Sequence, residues 1–134
     1  MDAKPYSKES QLARGERRYR RKVASPKQWQ AIITAKRGPC RWCEAFGSAG
    51  RREYGPIEFH HVVRRNDGGD DVPDNIVPLH QFCHRQMHES GRTPLGKIGT
   101  AHFIASLSDA EYAYMIERGG EDYPERAYGI GYER

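Results

Sequence analysis

Five of the six histidines lie in one stretch, Glu58 to His88 (EFHHVVRRNDGGDDVPDNIVPLHQFCHRQMH). His60 and His61 are adjacent, Asn75 follows His61 by fourteen residues, and His84 and His88 stand four apart. Imidazole is both a common metal ligand and the side chain that exchanges protons most readily near pH 7. The grouping therefore suits a metal centre with an acid–base group beside it.

The elements that must position these rings follow from local composition. Glu58–Val63 is short, with aromatic and β-branched residues, and is predicted to be a strand. Neighbouring side chains on a strand face opposite ways, so His60 and His61 have different roles, one toward a metal and one toward a substrate. Arg64–Asp74 is polar, contains Asn66-Asp67-Gly68-Gly69, and is predicted to be a loop. Ile76–Leu79 is a second short strand, and its Pro78 suits an edge. Cys83–Glu89 has no helix breaker and is followed by Gly91 and Pro94, which predicts a short helix with His84 and His88 on one face.

His-His, then Asn, then His-x3-His, in this order and spacing, resembles the HNH nuclease family and its ββα-metal fold, with spacing close to that of bacteriocin nuclease domains. The resemblance covers roughly a quarter of the chain. It implies His60, His84 and His88 as ligands of a catalytic divalent ion, His61 as general base, and Asn75 as the residue that fixes the loop and orients the base. It also implies a phosphodiester cut leaving 5′-phosphate and 3′-hydroxyl ends. Many members carry Asp where this chain has His60; three imidazoles shift metal preference toward softer ions, with Mg²⁺, Mn²⁺, Ni²⁺ and Zn²⁺ all open. Arg64, Arg65 and Arg85 are candidate clamps for the scissile phosphate.

The three cysteines cannot pair completely within one chain, and Cys40-x2-Cys43 points to metal binding instead. His80-x2-Cys83 repeats that spacing just before the helix. Cys40, Cys43, His80 and Cys83 are read as a closed structural Zn²⁺ site, a knuckle built on a tight turn, with His102 as the alternative fourth ligand. HNH proteins often carry paired cysteine knuckles in these places, and this arrangement is similar with one Cys replaced by His.

The 134 residues allow one domain, and a mean hydropathy of −0.91 leaves it a small core, which favours a metal staple. The net charge of +4 hides an asymmetry: residues 1–67 carry 16 Lys and Arg against 7 Asp and Glu, and residues 68–134 carry 6 against 11. The first half suits a polyanion. Arg14, Arg17, Arg18, Arg20, Arg21 and Lys22 fall within nine residues, so residues 1–24 are read as a basic arm contacting DNA phosphates. Arg51 and Arg52, in a Gly-rich loop, join the same group. Ser25-Pro26 opens a helix whose Trp29, Ile32 and Ile33 face the core. Ser108 and Glu111 form a capping box for a second helix reaching Arg118, and residues 119–134 are read as a loose acidic tail after a domain spanning 25–118. No apolar run reaches membrane-spanning length and no signal-peptide core follows Met1, so a cytoplasmic protein with no membrane partner is expected.

These readings together give a small α+β protein with a ββα-metal core, a metal-dependent endonuclease acting on double-stranded DNA. A small HNH protein with a basic arm resembles phage-encoded or mobile-element nucleases, with a phage protein partner or a homodimer left open. The alternative is a non-catalytic, zinc-stabilised nucleic-acid-binding module.

Overall fold

The computed structural model describes residues 20–46, 55–88 and 94–129. Helix α1 (Pro26–Lys36) begins where the sequence places it. The Ser25 hydroxyl accepts the Gln28 N–H at 3.2 Å and the Gln28 side chain accepts the Ser25 N–H at 2.8 Å, a reciprocal cap worth about 1 kcal/mol. Ile32 is buried, but Trp29 is only half-buried and lies against His61 rather than in the core. Helix α2 (Arg41–Phe46) starts directly after Cys40, and the Glu44 N–H donates to the Cys40 carbonyl at 3.1 Å. The Cys40-x2-Cys43 pair therefore spans the first turn of a helix, where the sequence suggested a tight turn.

Strands β1 (Ile57–His61) and β2 (Ile76–His80) pair antiparallel, with His61 opposite Ile76 and Ile57 opposite His80. Each is an edge of this two-stranded sheet, so Pro78, opposite Phe59, fits without an N–H to give. Helix α3 (Gln81–His88) follows β2 without a loop. The unit β1–β2–α3 is the ββα-metal arrangement within a small α+β fold.

The connection between the strands carries two 3₁₀ turns, Arg65–Asp67 and Pro73–Asn75. Asn75, fully buried, closes it like a clasp: its Oδ1 accepts the Val63 N–H at 2.7 Å, and its Nδ2 donates to the Val63 and Asp70 carbonyls at 3.0 Å each. Gly69 lies under the same clasp, where a Cβ would sit 1.7 Å from the Val63 carbonyl oxygen. Any side chain there would force the loop open.

Helices α4 (Pro94–Ala105), α5 (Asp109–Gly119) and α6 (Tyr123–Tyr128) close the core. Val62, Val63, Val77, Leu79, Phe103, Met115 and Tyr123 are fully shielded from solvent. The expected Ser108–Glu111 capping box opens α5. Glu111 also accepts from Lys36 Nζ at 2.7 Å and from both Arg41 terminal nitrogens at 2.8 Å, so one carboxylate joins α1, α2 and α5.

The loose tail expected over 119–134 is corrected in part. Pro124 in the first turn and Gly129 at φ 71° bracket α6, and Tyr123 and Tyr128 are buried. Two large aromatic side chains remove enough apolar surface from water to hold a six-residue helix that could not stand alone. Part of the expected basic arm over residues 1–24 is bound into the fold. The Arg21 side chain and the Lys22 and Ala24 backbone are hydrogen-bonded to the inter-strand loop, whereas Arg14, Arg17 and Arg18 lie outside the described residues. Among the described residues no helix is long and apolar enough to cross a membrane.

Candidate metal centres and general base

The ligand atoms of Cys40, Cys43, His80 and Cys83 lie within 4.8 Å of one another. Cys43 Sγ is 3.5 Å from His80 Nδ1 and 3.6 Å from Cys83 Sγ, and Cys83 Sγ is 3.8 Å from His80 Nδ1. A tetrahedral zinc ion with bonds of about 2.0–2.3 Å separates its donors by roughly 3.5–3.8 Å, so the set fits. The His80 N–H also donates to Cys40 Sγ at 3.3 Å, which suits a thiolate. Cys40 comes from the start of α2, His80 from the end of β2 and Cys83 from the first turn of α3. A metal here would join the N-terminal helices to the ββα unit. His102 is not needed: it stacks on Phe46 with ring centroids 5.6 Å apart.

His60, His84 and His88 form a second cluster, also within 4.8 Å. Hydrogen bonds fix which nitrogen of His60 and of His84 faces inward. Tyr128 donates its hydroxyl proton to the Val62 carbonyl at 2.6 Å, so its oxygen accepts from His60 Nε2–H at 2.8 Å. That leaves the lone pair of His60 on Nδ1. On the other side His84 Nδ1–H donates to Glu58 Oε1 at 2.9 Å, leaving the lone pair on Nε2. The two lone pairs meet 3.1 Å apart. Two acceptors cannot satisfy each other; a shared cation satisfies both, and donors on one tetrahedral ion with bonds of about 2.0–2.1 Å sit roughly 3.3 Å apart. Burial, then the neighbouring His84 and His88, push the His60 pKa well below its ordinary value, and burial lowers that of His88. Both rings are thereby kept neutral, the form that ligates.

His61 points elsewhere. Its Nε2 is 2.7 Å from Asp71 Oδ1, and Trp29 lies parallel to its ring, 5.8 Å between centroids at 5°. Burial lowers its pKa, opposed by the Asp71 hydrogen bond.

The candidate cations divide. The Arg64 guanidinium lies over the Tyr128 ring at 4.8 Å, with its Nε buried and without a hydrogen-bond partner among the described residues, and its charge is felt at His60 and His88. Arg65 and Arg85 are exposed, as are Arg20 and Lys22. Arg21, expected to reach for DNA, is bonded to Asp71 at 3.0 Å. Arg51 and Arg52 lie outside the described residues.

The sequence reading had no role for Glu58, Asp71 or Tyr128. Glu58 and Asp71 lie inside the histidine-rich stretch but at no motif position. Tyr128 could have been found from the Pro124 and Gly129 punctuation of a short helix.

A family model described as HNH endonuclease matches residues 40–90, a stretch that takes in both clusters, His61 and Asn75. Over residues 40–90 the chain is similar to HNH endonucleases. A relative from Escherichia coli (strain K12), the type IV methyl-directed restriction enzyme EcoKMcrA, is 35% identical over 65 residues, 48% of this chain. That match spans 23% of the relative, so the chain is similar to about a quarter of it. No solved structure matches.

Proposed function

We propose that this chain is a metal-dependent DNA endonuclease of the HNH type that hydrolyses phosphodiester bonds to leave 5′-phosphate and 3′-hydroxyl ends. One observation carries the reading: two imidazole lone pairs, each fixed by a partner on its far nitrogen, face each other 3.1 Å apart, next in sequence to a histidine held by a carboxylate. A structural site alone would not need that second histidine. Likeness to a restriction enzyme supports duplex DNA as substrate.

In this reading Cys40, Cys43, His80 and Cys83 hold a structural Zn²⁺, and His60, His84 and His88 hold the catalytic ion, Mg²⁺, Mn²⁺, Ni²⁺ or Zn²⁺. The bound ion supplies charge stabilisation at the phosphate and at the departing 3′-oxygen. His61, kept neutral at pH 7 by burial, takes a proton from the attacking water. Arg64, beside the cluster, neutralises the scissile phosphate. Asn75 takes no proton; it holds the loop that carries the base's surroundings.

The test is cleavage of supercoiled plasmid with each metal in turn. Wild type should nick or linearise it, and His61→Ala should lose about 10²- to 10⁴-fold in turnover with DNA binding and zinc content kept. Wild-type turnover by that variant would remove His61 as base. Failure of the wild type on plasmid, single strands and branched duplex alike would leave a zinc-stabilised binding module.

A further inference from the structure

We propose that Asp71 is the positioning residue of His61, and that residues 21–24 lock Asp71 in place; the inference rests on His61 being the general base. Asp71 is bonded on every side. Its Oδ1 faces His61 Nε2 at 2.7 Å and Arg21 Nη1 at 3.0 Å, and its Oδ2 accepts the Ala24 N–H at 2.9 Å. Its own N–H donates to the Lys22 carbonyl at 2.9 Å. The Lys22 N–H donates in turn to Asp70 Oδ1 at 2.7 Å, and Asp70 Oδ2 accepts from the Tyr114 hydroxyl at 2.8 Å. The Asp71 side chain is 8% exposed, unlike a solvated loop carboxylate.

The chemistry follows from proton counting. A carboxylate that takes donors on both oxygens is ionised and can only accept. The His61 Nε2 facing it must therefore carry the proton, which puts the ring's lone pair on Nδ1. A base needs both its tautomer and its ring plane set before the water arrives. Asp71 sets the first, and Trp29, flat against the ring, restricts the second. His60 and Arg65 also lie near His61, but neither is hydrogen-bonded to it.

Asp71→Ala should lower kcat by about 10²-fold or more, toward the level of His61→Ala. The KM for plasmid and the zinc content should hold. The decisive measurement is the double variant. If Asp71 acts through His61, His61→Ala/Asp71→Ala is no slower than His61→Ala alone. A loss that multiplies would make Asp71 a merely structural residue and overturn the proposal. Without DNA, ¹⁵N-histidine spectra of the zinc-loaded full chain should show His61 protonated on Nε2 in wild type and not held there in Asp71→Ala; an unchanged tautomer overturns the proposal. That spectrum judges Asp71 even if His61→Ala cuts normally, a result that would instead defeat the base assignment. Should Asp71→Ala not fold, Asp71→Asn keeps the volume and a bond to Ala24, and the same non-additivity with His61→Ala is expected of it.

Discussion

A phenol has one proton to give, and Tyr128 gives it to the Val62 carbonyl, so it can serve His60 only as an acceptor. Burial pushes its pKa far up, which keeps that proton in place at any working pH. Tyr128→Phe would leave the edge-on ring contacts with His60 and Tyr123 and delete the acceptor, freeing His60 to take the other tautomer. Losing such an outer partner typically weakens metal affinity about 10- to 100-fold. Titration calorimetry with Ni²⁺ or Zn²⁺, after the cysteine site is filled, should show that loss at the histidine site alone. Equal affinity would reduce Tyr128 to packing. The clustering of His60, His84 and His88 was legible because motif order and spacing group them. Their partners were not: Tyr128 is 68 residues from His60, and one Tyr of three in a Gly-rich tail carries no local sign of what it will touch.

The ββα elements were legible because their signals are local. β-branched runs bounded by Asn-Asp-Gly-Gly gave the strands, and an uninterrupted polar–apolar stretch gave α3. Glu111 shows where local reading stops. Its capping role is written in Ser108-x-x-Glu, but its partners Lys36 and Arg41 arrive from 70 or more residues away. Burial raises the Glu111 pKa, but the hydrogen bonds from Arg41 and Lys36 outweigh it and hold the value down to about 2, from an ordinary 4.5. A depressed acid stabilises the fold above its unfolded pKa and loses that contribution as pH falls through the folded value. The difference corresponds to about 3 kcal/mol, present at pH 7 and lost between about pH 4.5 and 2. Calorimetric Tm should therefore fall more steeply over that window in wild type than in Glu111→Gln, and the two curves should converge at its acid end. Parallel curves would mean the three-way ion pair contributes nothing net.

At the scale of the whole molecule, charge asymmetry set the expectation that a basic arm supplies DNA affinity without taking part in the chemistry. Within that expected arm, Arg21, Lys22 and Ala24 are hydrogen-bonded to Asp70 and Asp71. Removing residues 1–19 takes away Arg14, Arg17 and Arg18 but spares every bond to Asp70 and Asp71. It should weaken duplex binding and flatten the slope of log K against log salt by about 0.9 for each phosphate no longer neutralised, with cutting at saturating enzyme intact. Removing residues 1–24 also strips Arg21, Lys22 and Ala24 from Asp70 and Asp71, and kcat itself should drop. Equal kcat in the two truncations would detach residues 21–24 from catalysis. Charge counting could not see this boundary, because Arg21 looks like its neighbours until its partner across the fold is known.

Three hydroxyls from α5 and α6 converge on the inter-strand loop. Tyr114 bonds Asp70, Tyr123 takes the Arg64 N–H and gives to Asp67 at 2.7 Å, and Tyr128 joins Val62 to His60. None of the three lies within the family stretch of residues 40–90. A graft of that stretch onto another scaffold would carry all seven candidate ligands and still arrive without the fastenings of its own loop. The transplantable unit runs from about Arg21 to Tyr128, and a chimera cut at the motif's edges would inherit the metals before it inherited the scissors.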